Sequence, residues 1–279
     1  MKKLLTILLI LVSFSAFGNP IDDKCKQFVY KSAPVVAADQ YICHTQYALA
    51  YSFNSRNPIY TVEFLDKSHV GNLPRTNNFR VDPAIAPSHQ ATPEDYIGAM
   101  CNGDSCDRGH MNPSEDFSAC FVCDSESFFM SNMVPQNIHN NRGIWKSMEY
   151  KMRKYASNHQ GGVYIITGPV YMFTSHVTIG KNKVWVPDYL FKIMIDAVTG
   201  KSIAFFIPNK AQLDPATGKS VTLHEQDKSK DNAPDNLSKY VVNLETIETV
   251  TGIKFDASMD KITVANYQVW LAQTKVTKK

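Results

Sequence analysis

The sequence predicts an α+β fold, in which strands and helices are mixed along one chain. Short segments typical of strands precede and follow one long segment with helical periodicity, and no internal repeat is present. Of the 279 residues, 44% are hydrophobic and 20% are charged, which excludes a disordered, collagen-like or coiled-coil chain. The length fits one large domain or two small ones.

The clearest helix is predicted within residues 131–159. Its apolar residues repeat with a 3.6-residue period, and Gly161–Gly162 ends it. Residues 71–93 are rich in Pro and Asn and predict an irregular loop, while Thr199–Gly200 predicts a hairpin turn. Strands are predicted on both sides of the helix, at residues 46–52, 59–65, 163–167, 189–196 and 202–207.

The C-terminal part is too short to form a second domain. Residues 212–236 are polar and predict a long surface loop. A second helix is predicted over residues 236–251, and Gly252 ends it. The chain then closes with a tail that carries Lys275, Lys278 and Lys279.

Residues 1–18 have the organisation of a secretory signal peptide. Lys2 and Lys3 precede a largely apolar stretch at residues 4–12, and Ala16 and Gly18 stand where a signal peptidase requires small residues. The apolar stretch is far shorter than the roughly 20 residues that span a bilayer. We therefore expect a cleaved, secreted or periplasmic protein with no membrane association, the alternative being an uncleaved N-terminal anchor.

The net charge does not identify a partner by itself. The chain carries 29 Lys+Arg against 26 Asp+Glu, which gives +3, and loss of Lys2 and Lys3 would leave 27 − 26 = +1. Residues 142–154, however, contain five basic residues and only Glu149 as an acid, a local +4 that would attract phosphate. The five basic residues are Arg142, Lys146, Lys151, Arg153 and Lys154.

An even number of cysteines in an exported protein suggests disulfides. Nearest-neighbour pairing would give Cys25–Cys43, Cys101–Cys106 and Cys120–Cys123, although six cysteines allow 15 pairings. The alternative is a zinc site, because the last four cysteines lie within 23 residues of each other.

Two segments carry residue types suited to phosphodiester chemistry. The first is Asp107-Arg108-Gly109-His110. In the second, Asn141, Trp145, Glu149 and Arg153 follow one another at intervals of four. A step of four advances about 40° around a helix, so these residues form a slowly turning ridge on one side of it. We expect the polar members to project towards one region, with Trp145 beside or beneath them.

The chemistry of these side chains is complementary. The oxygens of Asn141 and Glu149 are hard ligands that suit Mg²⁺, which keeps most of its waters. Arg153 offers a planar cation that fits phosphate oxygens. His110, with an ordinary pKa near 6.5, would take a proton from water and lose this ability below about pH 6. Taken singly, these residues have structural alternatives. Asn141 could cap a helix, Glu149 and Arg153 could form a surface ion pair, and Trp145 could belong to the core.

In combination, the two segments resemble the signatures of the DNA/RNA non-specific endonuclease family, the ββα-metal (His-Me finger) nucleases with a DRGH motif. The second signature is matched in its spacing by Asn132, Gln136, Asn141, Trp145 and Glu149. The resemblance implies a central, mainly antiparallel sheet flanked by helices. It also implies one endonuclease domain over residues 19–279, with its core at about residues 59–255. Further matches are Asn78-Phe79, Asp82-Pro83, Thr167-Gly168-Pro169-Val170, Val186-Pro187, Phe191-Lys192 and Thr251-Gly252.

The resemblance also implies roles for single residues. His110 would be the general base, and Asn141 would bind Mg²⁺ directly, with Mn²⁺ as the alternative ion. Glu149 would hold the metal through water, and Arg153 would contact the scissile phosphate.

The supporting residues are assigned in the same way. Asn132 would support the site, Arg108 would brace it or contact substrate, and Asp107 would be structural. Many family members carry an arginine directly before the Asn-Phe pair, where this chain has Asn77. Arg75 is therefore our first choice for a phosphate contact and Arg80 the second.

The resemblance implies cleavage of both DNA and RNA with little sequence preference, leaving 5′-phosphate ends. A non-catalytic nucleic-acid-binding protein, a zinc-stabilised module and a phosphodiesterase for another substrate are the alternatives. The sequence leaves open whether an inhibitor protein or a homodimer exists.

Overall fold

The computed structural model describes residues 19–211 and 236–261. The expected signal peptide at residues 1–18, nearly all of the polar loop predicted at 212–236, and the tail with Lys275, Lys278 and Lys279 lie outside the described residues. Among the described helices, none combines the length and the apolar character needed to cross a bilayer.

The described strands are numbered in chain order. They are β1 (Gln40–Cys43), β2 (Tyr47–Ser52), β3 (Asn57–Leu65), β4 (Met100–Cys101), β5 (Asp104–His110), β6 (Met133–Asn137), β7 (Val163–Val170), β8 (Thr178–Ile179), β9 (Val184–Trp185), β10 (Tyr189–Asp196), β11 (Lys201–Pro208), β12 (Val241–Val242) and β13 (Asp260–Lys261).

The helices are described in the same order. The α-helices are α1 (Pro20–Lys24), α2 (Phe121–Ser127), α3 (Ile138–Asn140), α4 (Lys146–Asn158) and α5 (Leu244–Thr251), with a π-helical turn (Asn141–Trp145) between α3 and α4. Short 3₁₀ helices are formed by Lys26–Phe28, Lys67–His69, Pro87–His89, Pro93–Tyr96, Ser114–Phe117, Met130–Asn132 and Asn236–Tyr240.

A mainly antiparallel sheet forms the centre of the described structure. Its strand order is β1-β2-β3-β7-β10-β11-β12, with antiparallel neighbours throughout, and β13 adds a short parallel pairing to β11. Two smaller sheets, β4-β5-β6 and β8-β9, lie outside it. The expected α+β class with a central, mainly antiparallel sheet is confirmed.

Both faces of the central sheet are covered, which explains its apolar strands. Along β10, Phe191, Ile193 and Ile195 belong to the core on the face covered by α5. Leu190 and Met194 belong to the core on the opposite face, which α4 covers. This alternation follows from the two-residue period of a strand.

One predicted helix boundary is wrong. In the segment predicted to contain the central helix, the helical part begins at Ile138, because residues 133–137 form β6, which pairs with β5. Pro135 is unfavourable inside a helix, and the Asn137 side chain caps the helix by accepting from the amides of His139 and Asn140. The C-terminal helix begins at Leu244 rather than at residue 236, since Val241 and Val242 pair with β11.

The six cysteines form the nearest-neighbour disulfides Cys25–Cys43, Cys101–Cys106 and Cys120–Cys123. The predicted pairing is confirmed. A zinc site built from the last four cysteines is wrong, because their sulfurs are bonded to each other in pairs.

Candidate active site

The two predicted segments meet in one ββα element. β5 carries the DRGH motif and pairs antiparallel with β6, so that His110 lies opposite Met133. The helical segment that begins at Ile138 follows β6 directly and carries Asn141. Its backbone kinks at Gly143 (φ −108°, ψ −110°), two residues after Asn141. Such local interruptions of a helix are frequent at functional sites.

Gly109 is required by the close packing of β5 on β6. A Cβ atom at this position would lie 2.5 Å from Cβ and 2.0 Å from Oε1 of Gln136. Gln136 is itself fully buried and donates through Nε2 to Asn140 Oδ1 (2.7 Å), so it cannot move aside easily. The glycine therefore lets the strand that ends at His110 approach β6.

His110 is enclosed by aromatic rings. The ring of Phe128 stands edge-on to the imidazole at 5.0 Å between centroids, and Phe79 lies at 5.6 Å. The Nε2 atom is buried and has no hydrogen-bond partner among the described residues. Burial, followed by the positive charge of Arg75, lowers the pKa of His110 to about 3. The imidazole is therefore neutral at physiological pH and carries a lone pair on one of its ring nitrogens.

Asn141 is oriented by Asp107 of the same ββα element. Its Nδ2 donates to Asp107 Oδ2 (2.8 Å), and Arg142 clamps both oxygens of that carboxylate through Nε (2.9 Å) and Nη2 (2.8 Å). Because an ionised carboxylate can only accept, the NH₂ end of the amide must face Asp107. The carbonyl oxygen of Asn141 is thereby turned away from Asp107, where it could bind a cation.

This arrangement predicts an effect of Asp107→Ala on metal use. Without the carboxylate, the Asn141 amide can rotate by about 180°, so we expect metal affinity and activity to fall about 10- to 100-fold, as for other residues that orient ligands. The measurement is the Mg²⁺ concentration that gives half-maximal phosphodiester hydrolysis. Asp104→Ala removes a carboxylate from the same strand and is the matched control. Equal Mg²⁺ dependence in the two variants would contradict an orienting role.

Glu149 and Arg153 face a buried polar group on the central sheet. Thr61, Glu63, Thr167 and Lys192 lie on the sheet face that α4 covers, among apolar residues of that core. Lys192 Nζ donates to the carbonyl of Met111 (2.9 Å) and to Thr167 Oγ1 (2.7 Å). The lysine thus holds the residue that follows His110.

A pair of buried charges completes this group. Arg153 Nε donates to Asp116 Oδ1, and only 15% of the arginine side chain and 3% of the aspartate side chain are exposed. Glu63 is fully buried, and burial followed by the nearby Asp116 raises its pKa well above its ordinary value. Arg153 therefore lies close to Glu149, as expected, but one of its donors is bound to an aspartate.

Glu149 is held in an environment that disfavours its charge. Burial raises its pKa to about 8, and the charges of Glu115 and Asp116 add to the effect while Lys192 and Arg153 oppose it. Its Oε1 is enclosed and has no hydrogen-bond partner within residues 19–211 and 236–261. A cation bound nearby would favour the ionised form of this carboxyl group, which could then accept hydrogen bonds from water bound to the cation.

A stability prediction follows for the metal-free protein. The pKa of Glu149 is about 8 in the folded chain and ordinary in the unfolded chain, so the folded state binds the proton more tightly. Stability is therefore lost as pH rises from the ordinary pKa of a glutamate through about 8, and the loss is complete above that pH. We expect Glu149→Gln to raise Tm at pH 9 by several degrees, at about 2–4 °C per kcal/mol, and to raise it less at pH 5. Glu245→Gln, on the exposed face of α5, should show no such pH-dependent gain.

The oxygens of Asn141 and Glu149 fit a hard divalent cation. Both residues lie on the helical segment that follows β6, Asn141 in its π-helical turn and Glu149 in the first turn of α4. Within residues 19–211 and 236–261, no group of three His, Cys, Asp or Glu side chains could hold a metal ion. Amide and carboxylate oxygens are hard ligands of the kind that suits Mg²⁺, which keeps most of its waters.

The two candidate phosphate-binding arginines differ in their surroundings. Arg75 lies over the Phe128 ring (4.8 Å), donates to Ser114 Oγ (2.8 Å) and pairs with Glu115 (3.1 Å). Its charge acts on His110. Arg80 instead lies over Phe129 (4.0 Å) and donates to the carbonyl of Ser125 (2.7 Å).

The two remaining expected residues brace the site. The Arg108 guanidinium lies 4.2 Å from the ring centre of Phe79, which itself packs against His110. The Asn132 amide bridges backbone groups, because its Oδ1 accepts from Asn112 N (3.0 Å) and its Nδ2 donates to the carbonyls of Asn112 and Ser127 (2.8 Å each). Asn132 thus joins the segment after His110 to the end of α2.

A comparison with known protein families matches residues 25–262 to the DNA/RNA non-specific endonucleases. The chain belongs to this family. Nuclease EXOG, mitochondrial, of Xenopus laevis is 32% identical over 240 residues, which cover 80% of this chain and 59% of the relative. Endonuclease G, mitochondrial, of Homo sapiens is 28% identical over 223 residues, 75% of this chain and 67% of the relative. The chain thus spans a little under six tenths of the length of the EXOG nucleases it matches.

The fold is shared with a solved family structure. The EndoG chain of the EndoG/EndoGI complex superimposes with a TM-score of 0.67 at 23% identity, covering 89% of this chain and 95% of that chain. The likeness confirms the expected ββα-metal nuclease fold.

The expected secreted or periplasmic localisation is wrong. The EXOG and endonuclease G relatives are named as mitochondrial, and so is Nuclease 1 of Schizosaccharomyces pombe, 28% identical over 267 residues. The two lysines and the apolar stretch of residues 1–18 are therefore not sufficient to assign a cellular location in this family.

The candidate site also contains buried acidic residues that no sequence motif indicates. Glu63 lies in an alternating strand where it would be expected to face solvent, and Asp116 belongs to no motif. The net charge of +4 on residues 142–154 is also partly neutralised by acidic residues outside this segment. Arg142 is paired with Asp107, and Arg153 is paired with Asp116. Only the three-dimensional packing reveals these partners.

Proposed function

We propose that this protein is a metal-dependent endonuclease that hydrolyses phosphodiester bonds of DNA and RNA with little sequence preference. The observation that carries the proposal is a buried, neutral His110 with an unpartnered ring nitrogen, next to the cation Arg75 and in one ββα element with Asn141. Family membership supports the reaction class.

The residues of the site divide the reaction between them. His110 accepts a proton from the attacking water as the oxygen approaches phosphorus. Arg75, Arg108 and Arg153 place positive charge where the phosphate carries negative charge, which orients it and stabilises the charge that builds up. Departure of the 3′-oxygen leaves the phosphate on the 5′ end of the next nucleotide.

Asn141 would hold Mg²⁺ directly, and Glu149 would hold it through water, with Mn²⁺ as the alternative ion. When bound there, the ion supplies positive charge at the leaving oxygen. Asp107 keeps the Asn141 amide in the orientation that this requires.

The test is incubation of the purified protein with closed-circular plasmid DNA and with RNA, with and without Mg²⁺ and with excess EDTA. We expect cleavage of both polymers that requires the ion, and 5′-phosphate ends that accept no label from polynucleotide kinase until a phosphatase removes the phosphate. Cleavage that resists EDTA, or tight binding without cleavage in Mg²⁺, would contradict the proposal.

A further inference from the structure

A disulfide lies in the middle of a segment that borders the candidate active site. Residues 114–128, here called the strap, consist of the 3₁₀ helix Ser114–Phe117, a turn and α2. Cys120 and Cys123 are bonded to each other at the start of α2. Cys120 is also the N-cap residue of this helix, since its Sγ accepts from the backbone amide of Cys123 (3.2 Å).

The strap contacts the site at three points. Asp116 binds Arg153, Glu115 binds Arg75, and Phe128 packs edge-on against the ring of His110. The disulfide lies between the first two of these residues and the third. The strap therefore holds partners of the candidate base and of two candidate phosphate-binding arginines.

The disulfide has the surroundings of an exchangeable bond. Cys120 is partly exposed, whereas Cys123 is buried (1%). The residues between them, Phe121 and Val122, are 62% and 55% exposed, so a reagent can approach the bond from that side. Its sequence separation of 3, against 5 and 18 for the other two disulfides, makes it the least constraining of them for the unfolded chain.

We propose that Cys120–Cys123 is a site of reversible thiol–disulfide exchange with a dithiol and that it controls the activity proposed above. A thiolate of the dithiol attacks Cys120 Sγ, the S–S bond breaks, and Cys123 leaves as a thiolate that takes up a proton. The second thiol of the dithiol then attacks the dithiol sulfur that is bonded to Cys120. This breaks the mixed disulfide, and Cys120 leaves as a thiolate that takes up a proton. The dithiol is oxidised to a disulfide, and the protein gains two thiols.

Reduction should loosen the strap. α2 has seven residues, too few for a stable isolated helix, and the disulfide fixes its first turn. Without that bond, Asp116 and Phe128 are held only by contacts at the two ends of the strap, such as Arg153 with Asp116 and Asn132 with the Ser127 carbonyl. A shift of about 1 Å in a catalytic group costs roughly 100-fold in rate, so we expect at least about a tenfold loss of kcat/KM on reduction.

The test uses the full-length protein in a series of reduced-to-oxidised dithiothreitol ratios. At each ratio, one half of the sample is alkylated and analysed by peptide mass spectrometry, and the other half is assayed for Mg²⁺-dependent DNA cleavage. We expect Cys120 and Cys123 to be alkylated first, activity to fall in parallel, and reoxidation to restore it. Reduction of another pair first, or alkylation of this pair without loss of activity, would overturn the proposal.

Two double variants separate this disulfide from the others. Cys120→Ser/Cys123→Ser should have low activity that no longer responds to dithiothreitol, whereas Cys25→Ser/Cys43→Ser should keep the response. If circular dichroism shows that the first variant does not fold, the order of alkylation in the unmodified protein tests whether Cys120–Cys123 is the exchangeable disulfide. The inference rests on the proposed nuclease function. If the oxidised protein had no nuclease activity, only the proposed function would be refuted. The order of alkylation tests the exchange site independently of activity.

Discussion

Replacement of His110 by alanine is expected to lower kcat for DNA and RNA cleavage by about 10²–10⁴-fold, the usual contribution of a general base. The reason is the unpartnered Nε2 of a neutral, enclosed imidazole, which is the proton acceptor of the proposed reaction. Initial rates of plasmid nicking at saturating Mg²⁺ measure the effect. Added imidazole should recover part of the lost rate, because it can occupy the space of the missing ring.

His139→Ala provides the matched control. His139 lies in α3 of the same ββα element, but its ring faces Asp104 (3.7 Å). We expect this variant to retain nearly full activity. A folded His110→Ala protein with activity equal to that of His139→Ala would exclude His110 as the base.

The pH profile tests the same residue in a different way. The sequence alone predicted a loss of activity below about pH 6, from the ordinary pKa of histidine. Burial and Arg75 lower the pKa of His110 to about 3, so protonation of this residue should not limit kcat until well below pH 5. An acid limb with a midpoint between pH 6 and 7 that disappears in His110→Ala would contradict this expectation.

The central strands could be predicted from the sequence because both sheet faces are buried. β3, β7, β10 and β11 consist largely of apolar or β-branched residues, and their predicted positions agree with the structure. β5 was missed because its residues, Asp104–His110, are mostly polar and show no alternation. Its pairing with β6 is determined by tertiary packing, including the close approach at Gly109.

The site could be predicted only where spacing along the chain reflects spacing in three dimensions. Asn141, Glu149 and Arg153 follow the period of one helix. The sequence therefore predicts that they lie on the same side of that helix. Glu63 and Lys192 come from distant strands and meet beneath that helix only because β3 and β10 both pair with β7. Single charged residues in buried strands give no local signal of such a meeting.

The second large effect is expected at Asn141. Asn141→Ala removes the only protein oxygen proposed to bind the metal directly, and we expect kcat to fall about 10²–10³-fold, as when a single stabiliser of transition-state charge is removed. Asn141→Asp should also be impaired, although it adds a charged oxygen ligand, because its carboxylate would face that of Asp107 at the present 2.8 Å contact.

The exchanged pair Asp107→Asn/Asn141→Asp restores one amide and one carboxylate at this contact. It should therefore recover at least part of the activity that Asn141→Asp loses, with a lower Mg²⁺ requirement than the single variant. Titrations of initial rate against Mg²⁺ for the four proteins provide the comparison. If Asn141→Ala kept the unmodified Mg²⁺ dependence, or if the exchanged pair were no better than Asn141→Asp alone, the amide would not be a metal ligand oriented by Asp107. The contact would then serve only to join β5 to the helix.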